Sequence, residues 1–367
     1  MGNDWAMMYF LLGGREAGKS YATTKLFVNQ WKKYGRPFYW LKLKEASSKK
    51  LLENNAIKLV DADLRRQYNL DLVTSNDMVY EVTKRDSKGK ILEKKMMARV
   101  LCLSTFYNDK GSALFDKDFL SDPNMYYNIC LDEMNKEKGE RRTFDIIYSF
   151  VNQMENLIRS TKRRVRIICI GNELEDASEL MLGLNFLPNE FGRYYLVKNK
   201  RKLTQMLNEL NNAKSEKEVK EINKRYSDID FGKRAVVEYI PLNEAYRNRR
   251  HGTIADIMTP NASTFTNRRV IDTSHIYSGK LNKPTQVIKF SKESNDWFTL
   301  WDGNVIAEYK GEKINSTIYM APFCDGFFDH KLRDQVCMRF LTQGYMFKNL
   351  LAQRKFQKEI EFLKPRG

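Results

Sequence analysis

Between residues 7 and 197, short apolar runs alternate with stretches whose apolar residues recur every three or four positions, the rhythm of a largely parallel sheet covered by helices. The runs at 8–12, 37–43, 99–104, 126–131, 165–170 and 194–197 predict strands, and several hold almost no polar residue, as strands buried on both faces do. An exposed hairpin is predicted where Val79, Tyr80, Glu81, Val82 and Thr83 lead into the turn sequence Asp86-Ser87-Lys88-Gly89 and the chain returns through Ile91 toward Val100. Phe144, Ile147, Val151, Met154 and Ile158 form one apolar face of a helix that ends near Arg159. The stretch 198–226 is charged and lacks Gly and Pro. Its sparse apolar residues (Met206, Leu207, Leu210, Val219, Ile222) keep helical spacing, which predicts one or two connecting helices. Beyond it the period changes: 285–290 and 297–301 alternate, Asp302-Gly303-Asn304 reads as a turn, and 305–309 returns. The segment 332–363 is basic and helical, and no internal repeat or low-complexity tract is present.

These elements divide the chain into an α/β domain at 1–197, a helical linker at 198–228 and a β-rich domain at 229–367. A length of 367 residues, at about 150 per domain, agrees with two domains. With 42% hydrophobic residues and no apolar stretch near 18 residues, the composition excludes a disordered chain and a membrane-spanning one. The amino-terminal residues carry no targeting signal, so a cytoplasmic protein is expected. Five widely spaced cysteines are read as reduced, and three histidines without Cys or His neighbours at ligand spacing make a structural zinc site improbable. The charge is informative. Lys and Arg number 63 against 46 Asp and Glu, and the surplus of 17 points to a polyanionic partner, with nucleic acid first.

Chemistry enters at Gly13-Gly14-Arg15-Glu16-Ala17-Gly18-Lys19-Ser20, a G-x-x-x-x-G-K-[ST] sequence placed directly after an apolar strand and before a helical stretch. In this arrangement the loop aims backbone N–H groups at phosphates, Lys19 reaches the β and γ oxygens of ATP, and Ser20 ligates Mg²⁺. The apolar strand Asn128-Ile129-Cys130-Leu131 ends in Asp132-Glu133. There Asp132 is placed to organise the magnesium and Glu133 to polarise an attacking water. Asn172, at the end of the strand beginning at Val165, is either a γ-phosphate sensor or a turn residue. The run from Arg159 to Arg166 holds five basic residues in eight. It reads equally as a solvated face, a phosphate-backbone contact or an arginine finger. Lys42 and Lys44 lie where a second strand would end near the nucleotide, and one of them is expected to contact ATP or be coupled to it.

The segments LLGGREAGKSYATTK, KYGRPFYWLKLK, ARVLCLSTFYNDKGS, YNICLDEMNKEK and ENLIRSTKRRVRIICIGN, in this order and spacing, resemble the DNA-packaging ATPases (encapsidation proteins) of phi-29-like tailed phages over nearly the whole chain. The resemblance implies an ASCE-type P-loop ATPase domain with a central, mostly parallel sheet, then a helical linker and a β-rich, ribonuclease-H-like vestigial nuclease domain that binds nucleic acid. It implies a homo-oligomeric, pentameric ring on the portal of the procapsid. That ring uses ATP and Mg²⁺ to drive double-stranded DNA inward from the host cytoplasm, with packaging RNA a further candidate partner. Matched position by position, Lys19 and Ser20 fall on the phosphate and magnesium residues, Asp132 and Glu133 on the metal-organising and catalytic acids, and Arg159 on the trans-acting arginine. Lys110 falls on a basic residue used between subunits. The chain departs from the family pattern in having Lys42-Leu43-Lys44 where arginines are expected. It also has one more residue in 160–164, which makes Arg163 and Arg164 further intersubunit candidates.

Three rivals follow from the same residues. An active large terminase would need acids holding two metals in the second domain; Asp256, Asp272, Asp302 and Asp325 exist, but no strand there shows paired inward carboxylates. A purely structural nucleic-acid-binding protein would not need Gly13 to Ser20 or the acidic pair. A nucleotide kinase would not be so basic.

Overall fold

The computed structural model describes residues 7–14, 17–105, 127–135, 144–158, 165–171, 179–188, 191–241, 275–290, 296–322 and 328–363. They form two compact units, one built on a nine-stranded sheet and the other on a five-stranded sheet.

In chain order the first unit contains β1 (Met8–Gly13), α1 (Lys19–Tyr34), β2 (Phe38–Lys42), α2 (Glu45–Ala56), α3 (Ala62–Tyr68), β3 (Leu72–Ser75), β4 (Met78–Arg85), β5 (Ile91–Cys102), β6 (Tyr127–Asp132), α4 (Ile146–Ile158) and β7 (Val165–Gly171). After α5 (Glu179–Gly183), which belongs to the second unit, come β8 (Gly192–Val197), α6 (Lys200–Asn212), α7 (Glu216–Arg225) and β9 (Lys233–Ile240). The sheet order is β3-β4-β5-β2-β6-β7-β1-β9-β8. Strands β5, β2, β6, β7, β1 and β9 run parallel. Every residue of β2, β6 and β7 is buried, which is why these strands read as unbroken apolar runs and not as alternation. Helix α1 lies on this sheet through Phe27, whose ring meets Phe38 at 5.3 Å and Trp40 at 6.2 Å. The predicted hairpin is β4–β5, closed by an Asp86 carboxylate that accepts from the N–H groups of Lys88 and Lys90.

Three expectations change. The segment 194–197 does form a strand, but β8 is antiparallel and pairs only with β9 at the sheet edge. Residues 233–240, assigned to a domain beginning at 229 with no strand predicted there, form β9, which pairs in parallel with β1 from Met8↔Ala235 to Gly13↔Ile240 and buries Ala235, Val236 and Val237. The predicted linker helices, α6 and α7, therefore join two neighbouring strands of one sheet. Local pattern identifies a half-buried strand but not the strand it will pair with, so the boundary was not visible in composition. Helix α4, finally, buries Ile146, Phe150, Met154 and Leu157, while Val151 of the predicted face is 48% exposed. This helix carries two adjacent apolar stripes, and packing selects the second.

The second unit has β10 (Pro284–Lys289), β11 (Phe298–Trp301), β12 (Val305–Glu308), β13 (Thr317–Tyr319), α8 (His330–Leu341), β14 (Met346–Phe347) and α9 (Leu350–Leu363), with sheet order β13-β10-β11-β12-β14. An antiparallel meander, β10-β11-β12, has β13 parallel beside its first strand and β14 parallel at the other edge. Its core centres on Phe290, Phe298 and Phe356, three rings 5.1–5.7 Å apart and nearly perpendicular. Such edge-to-face pairs each add about 0.5–1.5 kcal/mol to the burial itself. The predicted turn at Asp302-Gly303 has both residues at positive φ, 49° and 78°, the mirror-type turn that matches strand twist. Among the described residues no helix is long and apolar enough to cross a membrane.

Candidate active site at the carboxyl edge of the first sheet

The parallel register brings the chemistry together. Asp132 pairs with Ile170, Leu12 with Gly171, and Leu41 with Leu131, so the ends of β1, β7, β6 and β2 lie level at one edge. Open α/β sheets bind ligands at that edge. One strand, β7, stands between the loop-bearing β1 and the acid-bearing β6, the insertion that defines the ASCE arrangement.

Backbone geometry prepares the loop. At Gly13 a Cβ would come within 2.7 Å of the Ile240 carbonyl oxygen, so only glycine lets β1 pass so close to β9. Gly18 sits at φ 80°, ψ 8° as the N-cap of α1, a left-handed position that glycine adopts without steric cost. No side chain caps that helix, so its first-turn N–H groups and the positive end of its dipole are directed at the loop.

Lys19 is 5% exposed, and its Nζ donates to the carbonyl oxygens of Gly13 at 3.0 Å and Gly14 at 2.6 Å. These bonds hold the ammonium of Lys19 at the mouth of the loop, a placement that suits a polyphosphate. Ser20 Oγ donates to Asp132 Oδ1 at 3.2 Å, joining the two elements that are 112 residues apart. This hydroxyl–carboxylate pair, both oxygen donors, fits a hard divalent cation such as Mg²⁺. The rest of Asp132 is engaged by Lys42, whose Nζ lies 2.9 Å from Asp132 Oδ2 and 3.0 Å from Glu133 Oε2. Burial opposes the Lys42 charge, but the two carboxylates outweigh it and raise its pKa above the ordinary lysine value.

Glu133 is at φ 59°. A left-handed backbone at a non-glycine residue costs about 1–3 kcal/mol and concentrates at functional sites. It turns the chain so that Met134 N–H reaches the Ile170 carbonyl at 2.9 Å while the Glu133 side chain, half exposed, faces Lys42.

The expected residues Gly13, Gly14, Gly18, Lys19, Ser20, Asp132 and Glu133 are thus brought together, with Ala17 in the loop between them. Lys42 is also in the site, but against the acids. Arg15, Glu16, Lys110, Arg159, Arg163, Arg164 and Asn172 lie outside the described residues. Arg166, counted in the basic run, is buried in β7 with its guanidinium toward Asn128. Sequence reasoning missed Ile240, whose strand presses on the loop; only its pairing reveals it.

In the second unit Asp302 accepts from the N–H groups of Asn282 at 3.2 Å and Lys283 at 3.0 Å, a turn-stabilising role. Asp256, Asp272 and Asp325 lie outside the described residues. Among the described residues no group of three or more His, Cys, Asp or Glu side chains is placed to hold a metal ion.

The fold and this edge define a P-loop ATPase-type sheet of the ASCE kind. The bacteriophage Phi-29 viral genome packaging motor assembly contains a chain that resembles it with TM-score 0.57 and 16% identity, over 98% of this chain and 95% of that one. The Phi-28 DNA packaging motor gives TM-score 0.55 and 13% identity over 99% and 96%. No protein-family profile and no curated protein matches the sequence. The chain has the fold of these packaging motors.

Proposed function

We propose that the chain is the ATPase of a viral DNA-packaging motor, which hydrolyses ATP to move double-stranded DNA through a portal into a procapsid. The observation that carries the reading is the contact of Ser20 with Asp132 at 3.2 Å, beside Lys19 and Glu133, on a sheet shared with the Phi-29 and Phi-28 packaging motors.

In this reading the loop N–H groups and Lys19 hold the phosphates, Ser20 and Asp132 hold Mg²⁺, and Glu133 takes a proton from the attacking water. Bound Mg²⁺ supplies charge neutralisation at the phosphate oxygens. The basic surplus favours phosphate-backbone contacts without base specificity, as a motor gripping every register requires, so DNA binding falls steeply with salt. The second unit binds nucleic acid without cutting it. Subunits form a ring in the host cytoplasm, docked on the procapsid, and Arg159 acts on a neighbour's ATP, with Lys110, Arg163 and Arg164 at the same junction. Mixed rings of Arg159→Ala and Glu133→Gln subunits regain activity only if the two residues serve one site from different chains, with parent mixtures as the control.

The primary test is ATPase activity of the purified chain with and without portal-bearing capsids and DNA. Stimulation by both is expected. A chain that neither binds nor hydrolyses ATP ends the reading.

A further inference from the structure

We infer that the hairpin β4–β5 is the part of the first unit that grips the phosphate backbone of double-stranded DNA, through Lys84, Lys88, Lys90 and Lys95. For the duplex this rests on the Proposed function, to which it adds a surface and the residues that meet the DNA.

The sheet supports this hairpin only in part. The register of β4 with β3 stops at Leu72↔Glu81, and that of β5 with β2 starts at Phe38↔Ala98. Residues 83–96 therefore run on as a two-stranded ribbon, about 20 Å long on the β5 side at about 3.3 Å per residue. Strand β5 ends beside β2 at Lys42↔Cys102, so the ribbon leaves the sheet at the edge opposite the candidate active site. A bare two-stranded ribbon is marginally stable in water, and this one is braced. The Arg85 guanidinium donates to both carboxylate oxygens of Asp71, at 2.6 Å and 3.0 Å, and to the Gly89 carbonyl at 2.9 Å. With the turn also closed on the Asp86 carboxylate, the tip is ordered before any ligand arrives, and little freedom is lost on binding.

Charge is concentrated on the ribbon. From 82 to 96, six of fifteen residues are basic and two acidic, so four of the chain's 17 surplus charges fall here. Arg85 is engaged by Asp71, and the Lys94 ammonium lies 4.1 Å from the centre of the Tyr80 ring. Of the acids, Asp86 is occupied by the N–H groups of the turn, and Glu93 stands opposite Lys84 in register. Lys84, Lys88, Lys90 and Lys95 are exposed, and among the described residues their ammonium groups have no partner. Leu92 is the one large apolar side chain exposed on the ribbon, fewer than a protein-docking surface would present. Lysine ammonium groups are compact point charges, which hold phosphate without reading bases. A two-stranded ribbon also has the width that a major groove admits. Lysines on bare strand edges can serve only to keep other chains from pairing there, a role that needs no DNA.

The test measures binding of the full chain to a short fluorescent DNA duplex of mixed sequence over a series of salt concentrations. The parent is compared with a ribbon variant that combines Lys84→Gln, Lys88→Gln, Lys90→Gln and Lys95→Gln. A control variant combines Lys214→Gln, Lys217→Gln, Lys220→Gln and Lys224→Gln, which removes as many exposed charges around α7. The ribbon variant is expected to lose about a hundredfold in affinity at moderate salt and about 3 in the slope of log K against log salt, at about 0.9 per phosphate contact. Its ATPase activity without DNA stays at the parent level. The control is expected to lose about fivefold at most, because charges more than a Debye length from the duplex are screened. Equal losses in the two variants overturn the inference, since the duplex then responds to net charge alone. Parent-like DNA binding by the ribbon variant overturns it too, and if stimulation by portal-bearing capsids is lost at the same time, the ribbon meets protein. A loss seen with duplex RNA and not with DNA overturns it as well. If the ribbon variant does not fold, acetylation of the parent's lysines read by mass spectrometry decides. DNA is expected to protect Lys84, Lys88, Lys90 and Lys95 and to leave Lys217 and Lys220 reactive; ribbon lysines that stay reactive with DNA bound overturn the inference. A parent that binds no duplex ends the packaging reading along with the ribbon's role, whereas one that binds DNA by another surface leaves that reading standing.

Discussion

Two lysines in this protein each stand between a pair of carboxylates, and they differ in what surrounds the pair. Lys42 bridges Asp132 and Glu133 at the edge of the first sheet. Lys355, on α9 of the second unit, lies 3.0 Å from Asp296 and 2.8 Å from Glu308, and it also donates to Asn185 at 2.7 Å. In both, burial opposes the charge and the acids more than restore it, raising the pKa. Around Lys42 lie a glycine loop, a second lysine, a hydroxyl and a glutamate on a left-handed backbone. Around Lys355 lie Phe356 and Ile360, buried core residues of the same helix. There the ion cluster anchors α9; its left-handed residue is Asn185, at φ 57°, an asparagine, which tolerates that backbone better than a glutamate does. A lysine with two acids is thus not a site by itself. The neighbours decide whether the ammonium fastens an element or belongs to a candidate site.

Changes at the two clusters should separate cleanly. The largest effect is at Glu133: Glu133→Gln keeps the shape but cannot accept a proton, so ATP turnover falls by about a hundredfold or more while equilibrium binding of a fluorescent ATP analogue persists. Parent-like turnover in that variant would move the base elsewhere. Lys19→Ala removes the charge facing the phosphates, and the expected result is a large loss of analogue affinity in equilibrium titration. Lys355→Met should do neither. Instead it lowers stability to urea by about 2 kcal/mol, less than the 3–5 kcal/mol of a fully buried pair because Asp296 and Glu308 are partly exposed. A Lys355→Met protein with parent stability but impaired ATPase would erase the distinction drawn above.

The smallest effect is in pH. A raised lysine pKa contributes stability that is complete below the ordinary value of 10.5 and lost as pH rises through the folded-state value. The stability difference between parent and Lys355→Met should therefore be flat from neutral pH to about 10 and narrow above it. Narrowing already at pH 8 would mean that the cluster does not hold the proton as described.

Much of the first unit was legible in the sequence because its strands are buried on both faces. Residues 38–42, 127–132 and 165–171 admit no helical or alternating reading, and the loop at Gly13 to Ser20 falls between a clear strand and a clear helix. The acidic pair was legible for the same reason: polar residues that end an apolar strand mark its carboxyl end. What stayed hidden is relational. The end of its strand put Lys42 near the nucleotide, but only register sets it beside Asp132. Lys355 looks like part of a basic helix until Asp296, Glu308 and Asn185, distant in sequence, converge on it. The choice of stripe on α4 followed the same rule, since two apolar faces one position apart are equivalent until a partner covers one.

The place of β9 bears on how the protein can be cut. A fragment ending at 197 or 228, where the charged helices invite a cut, would strip β1 of its neighbour and leave a bare row of backbone donors and acceptors from Met8 to Gly13, open to pairing with another molecule. The glycine loop would lose its backing at Ile240 in the same stroke. Such a fragment is expected to aggregate, whereas one carried through residue 241 keeps all nine strands of the sheet. The piece that can be expressed alone is therefore set by a strand that follows the apparent linker.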